Sequence, residues 1–379
     1  AKHLNPHGQS GLSVRELESQ KKKDEMLGIM ENKLLNIIQV VEDIKDIKIQ
    51  GATNIAKSAF EILISESKNQ TFASKEEFLE FIQQAMQMLI EARPTEPMLF
   101  NGMDYIKAQI ATLKEEDCLQ VQNKVIESAT YYLNLIKETA ERAILNGLWV
   151  IQNGDNVLTH CHSTSAVKTL ALHKIKGLNF KVFNTETRPL YQGRKTAKDL
   201  IEEGIDTTMV VDGVAPFLMD EESGTDLMMD CVIIGCDAIK LDGGVINKVG
   251  SYAVGLSALF ANVPVYIAGN LLKVDVHDTI QIEQRHSHEV WEDAPEGLDF
   301  LNFAFDKIPP KFIRGIITEF GIITEVSWLS EKAPNRILVT ELGIVSQVSP
   351  LYLKAFVQID VTECAPIVGG IITSAQHSG

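Results

Sequence analysis

At 379 residues, 45% apolar and 23% charged, the chain is long enough for two or three domains of roughly 150 residues and can bury a large core. Its formal net charge of −16 argues against duplex DNA or RNA as a main partner, since an acidic body repels phosphate backbones; any anionic ligand must be held by a local cluster of donors. Five cysteines without a CxxC pair argue against a disulfide framework or a zinc site, and no apolar run approaches the roughly 18 residues that cross a bilayer, so a cytoplasmic setting with no membrane partner is expected.

Residues 1–20 are polar, lack the apolar centre of a signal peptide and read as a mobile tail. Residues 21–147 read as a helical N-terminal domain. Leu34, Leu35, Ile38, Val41 and Ile44 recur at helical spacing, as do Phe78, Phe81, Ile82, Met86 and Leu89, and a third such stretch spans Val125 to Leu145. The turn signal Asn153-Gly154-Asp155 then marks a change of pattern.

Residues 148–328 alternate short β-rich runs with helices, as expected of a Rossmann-like α/β catalytic domain. Strands are expected at 156–160, 180–184, 207–211, 231–235 and 263–268, and helices at 165–176, 197–203 and 248–262. Phe217 to Asp230 is acidic and reads as a surface loop. The run from Ile316 to Ser327 is partly echoed from Ile337 to Ser349, and residues 329–379 form a C-terminal extension with no assigned role. The fold class is therefore α/β, a helical domain followed by a parallel sheet covered on both faces. In such sheets ligands sit at the carboxyl ends of the strands, near the switch in strand order.

Four segments that follow strands carry possible chemistry. Thr159-His160-Cys161-His162-Ser163-Thr164-Ser165 puts a thiol at a strand end before a helix start, where backbone N–H groups bind phosphate and lower a thiol's pKa; a buried cysteine beside an ordinary hydroxyl cap fits the same pattern. The run from Glu186 to Lys195 holds Arg188, Arg194 and Lys195, suited to phosphate or carboxylate, or else to a solvated basic turn. Asp237 ends an apolar strand, where a partly desolvated carboxyl suits proton transfer, or simply caps a turn. Gly243-Gly244 lets backbone approach a ligand, and Asn247-Lys248 is expected to open a helix. Neither the P-loop pattern nor a GxGxxG after the first strand is present, which disfavours nucleoside triphosphatases and dinucleotide oxidoreductases.

Taken in order, these segments resemble one superfamily: the archaeal ribose-1,5-bisphosphate isomerases, the methylthioribose-1-phosphate isomerases and the α, β and δ subunits of translation initiation factor 2B. The likeness runs from about residue 40 to 325 and also includes Ile49-Gln50-Gly51-Ala52, Glu91-Ala92-Arg93-Pro94-Thr95, Gln192-Gly193 and Phe303-Ala304-Phe305-Asp306. Cys161 and Asp237 match the pair that the isomerases carry and the translation-factor subunits typically lack. His160-Cys161-His162-Ser163 and Glu186-Thr187-Arg188-Pro189 look more like the ribose-bisphosphate branch.

The resemblance implies an aldose–ketose isomerase that converts ribose-1,5-bisphosphate to ribulose-1,5-bisphosphate. Cys161, as thiolate, would take the C2 proton, and Asp237 would donate or relay a proton at the sugar oxygens. Gly51, Ala52, Thr53, Arg93, Ser163, Thr164 and Ser165 would hold phosphates and hydroxyls, together with Arg188, Gln192, Asn247, Lys248 and Lys273. No metal or other cofactor is implied. A dimer or hexamer and activation by AMP are. A non-catalytic sensor of nucleotide or sugar phosphate and a methylthioribose-1-phosphate isomerase remain the alternatives. One departure stands out: Gln50 occupies the place of the family's phosphate-binding arginine, keeping hydrogen-bond capacity and losing a charge.

Overall fold

A computed structural model describes residue 28, residues 30–113 and 117–324, and the backbone of 336–339 and 345–348. The expected tail at 1–20 lies outside these residues, as does most of 329–379.

Five helices come first: α1 (Leu35–Lys45), α2 (Ala52–Asn69), α3 (Lys75–Ala92), α4 (Pro97–Ala111) and α5 (Cys118–Asn146). Ile37, Val41 and Ile44 bury one stripe of α1, as the spacing of its apolar residues requires. The Ser74 hydroxyl caps α3 by accepting from Glu77 N at 3.2 Å. Asp117 and Gln120 cap α5 reciprocally at 2.8 and 2.9 Å. The inward faces meet in a core built around Phe60, Phe78, Phe81, Leu89 and Tyr132.

The main sheet has seven strands in the order β10-β9-β7-β4-β1-β2-β3. In chain order these are β1 (Asn156–Thr159), β2 (Lys181–Thr185), β3 (Asp206–Val210), β4 (Cys231–Gly235), β7 (Val265–Ala268), β9 (Gly315–Thr318) and β10 (Gly321–Ile323). All neighbours pair in parallel except β9 and β10. Adjacent residues of the inner strands feed two different cores, so neither face of those strands is left to solvent. Val157, Val182 and Ile233 pack with Leu170 of α6 (Thr164–Ile175) and Leu200 of α7 (Gly193–Glu202). Leu158, Phe183, Ile234 and Ile267 pack with Val254 and Ala258 of α8 (Ser251–Phe260). Strands buried on both faces read as continuous apolar runs, which is why 231–235 is legible in sequence.

Three expectations need correction. Residues 248–262 are not one helix: Val245–Lys248 is strand β6, paired antiparallel with β5 (Ala238–Ile239) and β8 (Phe305–Ile308) in a second, three-stranded sheet. Gly250, at φ 105°, then turns the chain into α8. The second helix of the α/β region begins at Gly193 rather than Ala197. The acidic segment 217–230 is not wholly a surface loop, because Leu218, Met219 and Met229 are buried in the core of the sheet. The two echoed segments each form an antiparallel pair, β9 with β10 and β11 (Arg336–Val339) with β12 (Val345–Val348).

Side-chain amides join the helices to the sheet. Asn101 on α4 donates to the carbonyls of Leu272 and Val274, both at 2.9 Å. Asn146 at the end of α5 donates to Thr318 O at 2.8 Å. The helices thus stand over the carboxyl ends of the central strands.

Candidate active site

The strand order reverses between β1 and β4, the place where an open parallel sheet leaves a crevice. Cys161 follows β1 and Asp237 follows β4, so residues 76 positions apart in sequence line one cavity of about 480 Å³.

Cys161 sits at φ 68°, a left-handed backbone rare for a residue with a Cβ. Neighbours hold it there. Its N–H donates to Thr187 Oγ1 at 2.9 Å, and its carbonyl accepts from Thr196 Oγ1 at 2.8 Å. Behind it, His160 is buried and its pKa is pulled down by burial. Val249 O can only accept, so His160 Nε2–H donates to it at 2.9 Å, and Nδ1 accepts from Thr185 Oγ1 at 2.6 Å. Asp212 fixes the neighbouring loop by accepting from Thr187 N and Arg188 N, each at 2.7 Å. The expected lowering of the thiol pKa is not met. Burial pushes Cys161 up to about 11, which outweighs the pull of the Lys248 charge, and Asp237 pushes the same way. The resting group is a thiol.

Cations gather opposite. Lys248 is 9% exposed with its ammonium 4.7 Å from the centre of the Phe305 ring. Lys273 is 6% exposed and donates to Cys236 O. Arg93 stands over the same Phe305 ring and pairs with Glu283 at 3.0 Å, while its buried Nε has no hydrogen-bond partner. Arg285, Lys48 and Lys195 also line the cavity.

Two helix starts open onto it. Gly51, at φ 83°, leads into α2 through Ala52 and Thr53. Ser163 caps α6, its Oγ accepting from Ala166 N at 3.3 Å, beside Thr164 and Ser165. The first N–H groups of each helix have no intrahelical acceptor and carry the positive end of the dipole. Gly235 permits this approach, because a Cβ there would lie 2.4 Å from the Ser163 side chain.

Asn247 and Gln192 line the cavity too; Asn247 donates to Ser251 Oγ at 2.9 Å, and the buried Oε1 of Gln192 has no partner. Gln50 reaches the lining, but its amide nitrogen donates to Ile47 O at 2.7 Å. Arg188 is placed elsewhere. It is absent from the lining, because its guanidinium is taken by Tyr191 Oη at 2.5 Å and by Val290 O at 2.8 Å. Sequence reasoning passed over Glu96, which lines the cavity at 1% exposure. Its place directly after Arg93-Pro94-Thr95 was the available signal. Among the described residues, no group of three or more His, Cys, Asp or Glu side chains could hold a metal ion, and no helix is long and apolar enough to cross a membrane.

Residues 48–325 match the initiation factor 2 subunit family. The chain belongs to that family. It is 35% identical over 293 residues to a ribose 1,5-bisphosphate isomerase of Methanocaldococcus jannaschii, covering 76% of this chain and 91% of that protein. It is 32% identical over 310 residues to a methylthioribose-1-phosphate isomerase of Acetivibrio thermocellus, covering 76% of this chain and 89% of that protein. Among solved structures, the 5-methylthioribose 1-phosphate isomerase of Pyrococcus horikoshii superposes with a TM-score of 0.65 at 28% identity, over 76% of this chain and 85% of that one. The fold is also that of a Pyrococcus horikoshii translation initiation factor eIF-2B, at a TM-score of 0.64 and 24% identity over 76% of this chain and 97% of that one.

Proposed function

We propose that this chain is an aldose–ketose isomerase acting on ribose-1,5-bisphosphate. The observation that carries the reading is one cavity combining a thiol, a carboxylate, two helix starts and buried lysines. Two helix starts suit a substrate with two phosphates. The relatives' names support the same reaction class.

Isomerisation of an aldose 1-phosphate opens the ring and moves a hydrogen from C2 to C1. The Cys161 thiol gives its proton to the ring oxygen as the bond from that oxygen to C1 breaks. The Asp237 carboxylate takes the proton from C2 and returns it to C1. The thiolate, stabilised by Lys248, recovers a proton from the C2 hydroxyl and leaves the ketone. Each group ends as it began. This order gives Cys161 the first donation, where the sequence alone gave it the C2 proton.

A second reading has an observation in its favour. Gln50, at the place where the resemblance implies an arginine, lies beside Ile47 and Ile49 in the lining, which suits an uncharged C5 substituent such as methylthio. Comparing kcat/KM for ribose-1,5-bisphosphate, methylthioribose 1-phosphate and 5-deoxyribose 1-phosphate separates the two. Cys161→Ser and Asp237→Asn are each expected to lower kcat by about 100-fold to 10,000-fold with the melting temperature unchanged; near-wild-type turnover in either rejects the mechanism. The reading also includes a homo-oligomer and activation by AMP, checked by light scattering and by assays with and without the nucleotide.

A further inference from the structure

The mechanism above leaves one buried acid of the cavity unused. Glu96 opens α4, and its carbonyl accepts from Leu99 N at 3.0 Å and Phe100 N at 3.4 Å, so its backbone is fixed. Its side chain turns into the cavity wall at 1% exposure. There Oε2 has no hydrogen-bond partner. Oε1 lies 3.9 Å from Arg93 Nε, too far for a hydrogen bond, and the Nη1 of that arginine is occupied by Glu283 at 3.0 Å. Lys273 directs its ammonium at Cys236 O instead. A carboxylate this buried and this poorly paired is disfavoured against its neutral form.

We propose that Glu96 is a neutral carboxylic acid that donates a hydrogen bond to the substrate's C2 oxygen and stabilises the negative charge that builds there as the C2 hydroxyl proton passes to the Cys161 thiolate. The inference rests on the isomerase reading and adds a residue to it. The proton stays on Glu96 throughout, so the exchange among Cys161, Asp237 and substrate is unaltered. A neutral acid suits this place because it can donate where a carboxylate would repel the growing charge.

The charged groups that face Glu96 come from four other places in the chain. Asp237 after β4 adds to burial in holding the proton on, while Arg93 after α3, Lys273 after β7 and Lys248 on β6 favour its loss; the balance pushes Glu96 up to about 8. Ionisation above that value removes the donor and adds a second anion beside Asp237.

The test is the pH dependence of kcat in wild type, Glu96→Gln and Glu96→Met. Wild type is expected to lose activity with one proton above about pH 8. Glu96→Gln keeps shape and a donor but cannot ionise, so its kcat profile should lack that alkaline limb. Glu96→Met removes the donor and should lower kcat by about 100-fold or more with KM within a few-fold. Near-ultraviolet circular dichroism checks folding; should Glu96→Met not fold, the Glu96→Gln profile decides alone. An unchanged alkaline limb in Glu96→Gln, or a wild-type kcat in Glu96→Met, overturns the proposal and leaves the isomerase reading standing. A wild type that turns over no aldose 1-phosphate overturns both.

Discussion

Lys248 and Lys273 are buried ammonium groups with no carboxylate at ion-pair distance among the described residues, in a chain whose net charge is −16. Burying an unpaired charge is costly, so such groups mark a place where a negative ligand completes the pairing. A charge-assisted hydrogen bond contributes about 1.5–3 kcal/mol, so Lys248→Met and Lys273→Met should each raise KM by about 10-fold to 100-fold without lowering the melting temperature. A KM within two-fold of wild type would remove that lysine from the proposed phosphate site. Cys161 and Asp237 were legible because a strand end is a recognisable position and their residue types are uncommon there. Glu96 was not, since its burial depends on β6 and the turn after β7 closing over a loop between two helices. The surroundings of Arg188 were hidden for a related reason: a guanidinium fork suits a backbone carbonyl as well as a phosphate, and residue type does not say which it meets.

Helices α2 and α6 and strands β1 and β4 do the positioning. Gly235 lets Ser163 approach the end of β4, so Gly235→Ala tests the arrangement at this scale. Its added Cβ would lie 2.4 Å from the Ser163 side chain and push the start of α6 off the strand. Overpacking of this kind costs about 1–3 kcal/mol. Urea unfolding should show that loss together with a raised KM, whereas wild-type values of both would mean that the two elements move apart freely. Strand β6 was unreadable for a local reason. Val245 to Lys248 is short and followed closely by a true helix, and its ladder partners lie at 238–239 and 305–308. Pairing across that distance leaves no periodicity in the segment itself. The opposite held for β4, whose five apolar residues are buried on both faces and announce the strand directly.

Over the whole molecule, the sheet's existence was legible and its order was not. Strand–helix alternation implies a parallel sheet, but the insertion of β4 between β1 and β7 is a property of three-dimensional packing, and it is what brings residues 161 and 237 together. Stability should also carry the signature of buried acids. Burial raises Glu96 to about 8 and Glu319 to about 7, so the native state holds protons there that the unfolded chain, near 4.3 for glutamate, has lost. Stability supplied by a raised pKa is lost as pH climbs through the folded value. His160 and His162 are lowered by burial and act in the opposite sense below about 6.5. The melting temperature should therefore fall between about pH 6.5 and 8, and fall less in Glu96→Gln. A melting temperature that rises across this window would contradict the assigned protonation states.

The central claim is a proton moved between adjacent carbons of a phosphorylated sugar. Incubation of the full chain with ribose-1,5-bisphosphate in heavy water, followed by NMR, tests it most directly. The account predicts conversion to ribulose-1,5-bisphosphate with deuterium appearing at C1, and no conversion with Asp237→Asn. An unchanged aldose with the wild-type protein, or equal conversion by the variant, would contradict it.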